Sequence, residues 1–296
     1  MVTAMSTLKY FSLSLRPHQW SKNLLVFAAL IFSGELIHPD HLLKSLFTFF
    51  LFSFVAGCIY VWNDLKDIAG DRLHPAKKYR PIAAGKIKPR QALLFSIILL
   101  AFSYLASCFV SIHLTYVLIL YSILNFLYSS YLKYIVILDI LIVAVGYVLR
   151  AVAGAVAIQV AISPWLLVCT FFLALFLVIG KRRAELVRWG ENSIEYRPIL
   201  FEYNAGILDQ MIGVVTAATI LGYALYTLDV QTVQKFGTYN LIYTVPFVVY
   251  GIFRYFYLIY KKDLGGTPEM ILIQDRPILI NIFFWVLSVF FIIYLK

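Results

Sequence analysis

Nine runs of apolar residues, at 22–38, 43–62, 91–111, 114–131, 135–157, 164–181, 208–228, 239–260 and 277–295, constrain this 296-residue chain more than any other feature. About 20 apolar residues in a helix cross the roughly 30 Å of hydrocarbon in a bilayer. The first run is short; the others approach or reach that length. With 62% hydrophobic and 14% charged residues, the composition excludes an ordinary soluble domain. Lipid offers the backbone no hydrogen-bond partners, so the spans must be helices or a closed barrel. No run alternates over ten-residue strands as a barrel would. The fold class read from the chain is therefore all-α, a multi-pass membrane protein with nine transmembrane helices. No Pro/Gly-rich linker divides it, which points to a single domain over 1–296, and no cleavable signal peptide is evident.

Positive charge sets the expected orientation. Lys9, Arg16 and Lys22 precede or open the first run; seven cations from Arg72 to Arg90 follow the second; Lys133 follows the fourth; Lys181, Arg182, Arg183, Arg188 and Arg197 follow the sixth; Lys261, Lys262 and Arg276 follow the eighth. The other side has only Lys44, Lys235 and Lys296. By the positive-inside rule the N-terminus is cytoplasmic and the C-terminus outside. The formal charge of +10 then reports topology, and no nucleic-acid partner is implied. Cys58, Cys108 and Cys169 lie in apolar runs without CxxC spacing and read as packing residues.

Chemistry concentrates where the second run ends, in Asn63-Asp64-Leu65-Lys66-Asp67-Ile68-Ala69-Gly70-Asp71. Three of the 15 acids fall within these positions. In a helix, residues 64, 67 and 71 share one face, where their charges repel unless a cation lies among them. Mg²⁺ fits, because it prefers carboxylate oxygens and leaves positions for water and substrate phosphates. The basic loop that follows, stiffened by Pro75 and Pro81, supplies Lys77 and Arg80 to the same compartment. Carboxylates for a metal beside guanidinium and ammonium groups describe a site for phosphorylated substrates.

The motif N-D-x-x-D-x-x-x-D after the second of nine spans resembles the first aspartate-rich motif of the UbiA superfamily of intramembrane prenyltransferases. Further segments are similar to one branch, the decaprenyl-phosphate phosphoribosyltransferases: Arg16-Pro17-His18-Gln19-Trp20-Ser21-Lys22-Asn23, Asp71-Arg72 with His74-Pro75 and Arg80-Pro81-Ile82-Ala83-Ala84-Gly85, Leu138-Asp139-Ile140, Leu149-Arg150-Ala151, Gly180-Lys181-Arg182, Ala184-Glu185-Leu186, Pro268-Glu269 and Asp275-Arg276. The set runs in order from residue 16 to 276. The resemblance implies transfer of a 5-phosphoribosyl group from phosphoribosyl pyrophosphate to a polyprenyl phosphate at the cytoplasmic face of a bacterial plasma membrane. It implies Asp64, Asp67 and Asp71 as metal-binding catalytic residues helped by Asn63. Arg16, Lys22, Lys181 and Arg182 are then candidates for the lipid phosphate, Lys77 and Arg80 for the ribose 5-phosphate, and Glu185 for ribose hydroxyls or for orienting Arg182. Where aromatic prenyltransferases are expected to carry a second acidic motif, after the sixth span, this chain has Lys181-Arg182-Arg183-Ala184-Glu185. That run suits a phosphate better than a metal. The alternative is an aromatic prenyltransferase that joins a prenyl diphosphate to a hydroxybenzoate or quinone precursor. A transporter would place its polar groups near the bilayer midplane, where Arg150 is the main example here.

Other residues are expected to be structural or remain open. Arg150, about 22 Å into its span at 1.5 Å per residue, needs a partner, a cavity or another subunit. Asp139 could reach the site, end its helix or pair with Lys133. Arg254 reads as a snorkelling anchor, His74 as a turn residue, and Glu269, Asp275 and Arg276 as a cover or a loop salt bridge. Composition leaves a homo-oligomer open.

Overall fold

The computed structural model describes residues 4–74, 77–189, 198–262, 271 and 274–294. Among these every regular element is helical: α1 (Ala4–Ser14), α2 (Val26–Ser33), α3 (Pro39–Lys66), α4 (Ile68–Leu73), α5 (Pro89–Val110), α6 (Ile112–Ser130), α7 (Leu138–Ala157), α8 (Pro164–Trp189), α9 (Ala205–Leu228), α10 (Val230–Phe236), α11 (Val245–Lys262) and α12 (Arg276–Tyr294), with short 3₁₀ segments between some of them. Local chemistry accounts for many ends. α3, α5 and α8 open on proline, whose missing N–H costs nothing in a first turn. Asn204 caps α9 by accepting the Ile207 N–H at 2.8 Å. Gly34, at φ +87°, closes α2 in the left-handed conformation that glycine adopts freely.

Among the described residues eight helical segments are long and apolar enough to cross a membrane, where the sequence suggests nine. The difference lies in the run at 22–38. It folds as a 3₁₀ segment, Pro17–Leu25, that passes into the eight-residue α2 and stops at Gly34. Arg16-Pro17 and the polar Ser21-Lys22-Asn23 leave too few apolar residues for one long α-helix. The segment nevertheless runs antiparallel along α3: Trp20 packs edge-on against Phe50 and Phe54, Asn23 donates to Ser53 Oγ at 2.9 Å, and Phe27 lies beside Phe49.

The helices form two compact units, residues 1–130 with 149–162, and residues 131–148 with 163–296. In the first, α3 is the central element and packs on α5, α6 and the Pro17–Ser33 segment. Its core near Asp64 joins Leu15, Val61, Ile82, Ile87 and Ala92. A buried polar knot lies deeper. Arg150 donates to Asn23 Oδ1 at 2.7 Å and to the Tyr121 hydroxyl at 3.0 Å, and its guanidinium lies over the rings of Phe52 and Tyr121. The expected structural role of Arg150 is what this geometry supports. In the second unit α8 packs along α9, and α11 along α12, around Phe176, Ile179, Leu208, Ile212, Tyr255 and Ile259. The three cysteines are free thiols, Cys58 buried and Cys108 exposed.

Gly154 marks the tightest helix contact in the first unit. A methyl group there would lie 1.9 Å from the Val26 carbonyl oxygen, which is backbone and cannot swing aside. Gly154→Ala should therefore cost about 1–3 kcal/mol through forced separation of α7 and α2. Gly213→Ala on α9, where the new methyl meets nothing within 4 Å, should be neutral or raise stability by about 0.4–1 kcal/mol. Thermal unfolding of the purified variants in detergent checks both signs.

Candidate active site

α3 is 28 residues, or about 42 Å, long, more than the hydrocarbon needs. Its last turns carry Asn63, Asp64 and Lys66 toward the headgroup level. The helix ends at Asp67, whose backbone (φ −104°, ψ 18°) leaves the helical region before α4 restarts at Ile68. This break corrects the expectation of three carboxylates on one face. Asp67 is turned out and exposed, while Asp64 and Asp71 are 2% and 3% exposed. Among the described residues no three His, Cys, Asp or Glu side chains converge on one point.

A single guanidinium joins the buried pair. Arg80 Nη1 donates to Asp64 Oδ1 at 3.0 Å and to Asp71 Oδ2 at 2.7 Å. Arg16 donates to the same Asp64 oxygen and lies over the Tyr60 ring. Burial pushes the Arg16 guanidinium below its ordinary pKa, against the pull of the Asp64 charge. The loop is tied down beside them: Arg72 Nε donates to the Ala83 carbonyl at 3.2 Å, and His74 Nδ1 accepts the Lys77 N–H at 3.2 Å. Burial and the Lys77 charge lower the His74 pKa, so the ring is a neutral turn acceptor, as its sequence context suggests. Lys77 is half-buried on this loop, and Lys22 donates to Gln19 at 3.4 Å. The Asn63 carbonyl accepts the Asp67 N–H at 3.0 Å, and the residue lines a neighbouring hollow. Two carboxylates that share one cationic nitrogen are hard oxygen donors, a chemistry that suits a divalent cation such as Mg²⁺.

In the second unit, the run from Lys181 to Glu185 is not a loop. It lies in the last turns of α8, which continues to Trp189 because lysine, arginine, alanine, glutamate and leucine all favour helix. Spacings of three and four then bring Glu185 to Arg182 (3.1 Å) and Lys181 (3.9 Å). Arg182 also donates from Nε to Asp139 Oδ2 at 3.0 Å. Asp139 is fully buried and accepts the Tyr203 hydroxyl at 2.7 Å, and the Ile137 N–H donates to that hydroxyl at 2.7 Å. Burial and the bond to Asp139 push the Tyr203 phenol pKa up, which keeps it a donor. Arg182 is thus committed to protein carboxylates, and Glu185 orients it. Lys181, a third exposed, is the more accessible cation. Arg183 donates to Asp209 at 2.6 Å and stacks over Tyr260, whose hydroxyl donates to the same carboxylate. Arg254 grips Asp275 through two N–H groups at 3.2 and 2.9 Å, which holds that carboxyl below its usual pKa. Asp275 therefore pairs back to α11, and Arg254 has a carboxylate partner as well as its anchoring position. Asp263, Pro268 and Glu269 lie outside the described residues, as do Pro75 and Arg197. Sequence reading missed the roles of Tyr203 and Asp209, which depend on partners far away in the chain.

The buried Asp139 makes a stability prediction. Arg182→Leu strands its charge and should cost about 3–5 kcal/mol, while adding Asp139→Leu should return much of that loss. A double-mutant cycle of thermal unfolding in detergent measures this coupling; independent, additive losses would contradict it.

Comparison with known proteins agrees with the helical fold. The model of the UbiA prenyltransferase family matches residues 24–287. Decaprenyl-phosphate phosphoribosyltransferase from Corynebacterium glutamicum is 32% identical over 95% of this chain and 86% of its own length. The protein of that name from Mycolicibacterium smegmatis is 33% identical over 92% and 89%, and that from Mycobacterium tuberculosis H37Rv 31% over 93% and 91%. Among solved structures, a UbiA homolog from Archaeoglobus fulgidus bound to DMAPP and Mg²⁺ aligns with a TM-score of 0.70 at 20% identity, over 97% of this chain and 99% of that one. A digeranylgeranylglyceryl phosphate synthase structure aligns at 0.66 and 20% identity, over 96% and 98%. With its helical spans, its acidic motif and these matches, the chain belongs to the UbiA prenyltransferase family.

Proposed function

We propose that this protein transfers a 5-phosphoribosyl group from phosphoribosyl pyrophosphate to a polyprenyl phosphate, releasing pyrophosphate. The observation that carries the reading is the cationic end of α8, where Lys181, Arg182 and Arg183 stand in place of a second acidic motif. One metal-binding motif and one cationic run suit two anionic substrates, a soluble sugar diphosphate and a lipid monophosphate. The names of the relatives, which match nearly the whole chain, support the same reading over an aromatic prenyltransferase.

Asp64 and Asp71 would hold Mg²⁺, with Asp67 and Asn63 close in sequence, and the ion would supply charge stabilisation for the departing pyrophosphate. Arg16 and Arg80 keep the carboxylate pair neutralised and are the donors for incoming phosphates. Arg80 and Lys77 take the ribose 5-phosphate. Lys22 is the candidate for the lipid phosphate on the first unit and Lys181 on the second, with Arg182 acting chiefly through Glu185 and Asp139 to fix the end of α8. In the reaction, the bond from the anomeric carbon to the pyrophosphate oxygen breaks, and one from that carbon to a lipid phosphate oxygen forms. The nucleophile is already an anion at neutral pH, so the protein need not supply a strong base.

We further propose nine crossings within one working domain, the N-terminus and the acidic motif cytoplasmic, in a bacterial plasma membrane. Two observations support the ninth. The Pro17–Ser33 segment lies along α3, and a 3₁₀ stretch rises about 2.0 Å per residue, so nine such residues and eight α-helical ones cover about 30 Å.

Membranes carrying the protein should label a polyprenyl phosphate from radiolabelled phosphoribosyl pyrophosphate in the presence of Mg²⁺, and should not prenylate 4-hydroxybenzoate from a labelled prenyl diphosphate. Asp64→Ala and Asp71→Ala should each lower turnover about 100-fold or more while membrane insertion and yield stay normal. Prenylation without ribosyl transfer would overturn the substrate assignment, and near-normal turnover in either variant the role of the pair.

A further inference from the structure

Two hollows open beside each other on the first unit, on the face of α3 opposite Asp64. One, of about 340 Å³, lies among α3, α5 and α6 and is lined by Cys58, Ile97, Leu100 and Phe126, with Asn63 and Ser129 at its polar end. The other, of about 430 Å³, lies between α3, α4 and the start of α5, with Leu65, Ile68, Pro89 and Leu93 in its wall. Trp62 and Lys66 line both. Trp62 is 45% exposed, and its ring meets Phe126 edge-on. Ile97 and Phe126 are also exposed, so the hollows face the lipid.

Lys66 and Arg90 stand together at one end of this face. Lys66 is the last residue of α3 and Arg90 the second of α5, the level at which both helices leave the hydrocarbon. Both are exposed, and among the described residues neither is in an ion pair, whereas Arg16, Arg80, Arg182, Arg183 and Arg254 all are. Orientation charge alone explains a cation near the membrane surface but not the paired apolar hollows beside it.

We propose that this face binds one anionic diacyl phospholipid, separate from the reacting lipid, with its phosphate between Lys66 and Arg90 and one acyl chain in each hollow astride Trp62. Two hollows match two chains; a polyprenyl phosphate has one. Two unpaired cations match a headgroup with net negative charge, whereas a zwitterionic headgroup brings its own ammonium into their field. Trp62 lies one turn below Lys66, the depth at which an indole belongs at a membrane interface.

The full chain, purified in detergent and titrated with phosphatidylglycerol under native mass spectrometry, tests this. The wild-type protein should retain one phosphatidylglycerol in preference to phosphatidylcholine. Lys66→Gln/Arg90→Gln should weaken that binding about 30-fold, the effect of two interfacial cations. Ile97→Trp, which fills one hollow and leaves both cations in place, should also lose the retained lipid, so the test does not depend on the charge variant folding. Equal retention of phosphatidylcholine, wild-type affinity in either variant, or displacement of phosphatidylglycerol from this face by decaprenyl phosphate would overturn the proposal. Ribosyl transfer by the variants is a separate readout, so failure here is distinguishable from failure of the catalytic assignment.

Discussion

A charge withdrawn from water inside a helical bundle must be answered by another group, and this rule organises the protein more than any single packing contact. Asp64 and Asp71 are both withdrawn from water, and Arg80 donates one nitrogen to both. Asp139, with no exposed surface at all, is met by Arg182 from one side and Tyr203 from another. Arg150 is met by an amide, a phenol and two aromatic faces. Each answer joins elements that are distant in the chain, so electrostatic satisfaction and tertiary assembly are here one problem.

The two units solve it differently. In the first, arginines neutralise a buried carboxylate pair; a divalent ion could take over that task, because carboxylates are hard oxygen ligands. In the second, carboxylates from other helices anchor the cations. Arg182 and Arg183 are each fixed by a carboxylate from another helix, which leaves Lys181 and its flexible stem as the adaptable group at the end of α8.

Much of this was legible in the residues. Hydropathy located the eight long helices among the described residues, because the bilayer imposes length and apolarity with little room for context, but it stopped α8 at 181 where the helix runs on to Trp189. The meeting of Asp64 with Asp71 followed the expectation, although Arg80 joins them across a helix break and not along one helix face. Asp67 did not, since no glycine or proline announces that α3 stops there. The short first run was also misjudged in form: hydropathy counts apolar residues but does not distinguish a 3₁₀ stretch from an α-helix. The partners of Arg182 and Arg183 were hidden for another reason. Asp139 and Asp209 lie 43 and 26 positions away, and no local pattern links them.

The break at Asp67 separates two properties that a continuous helix would have fused. Asp64 belongs to the rigid bundle through α3, but Asp71 rides on a six-residue helix whose placement depends on Arg80 and on the Arg72 bond to Ala83. The spacing of the carboxylate pair is therefore set by the loop rather than by the span. Relatives could diverge in which phosphorylated donor they accept by altering only the exposed positions between Arg72 and Gly85, leaving the spans and the buried Ile82 as they are.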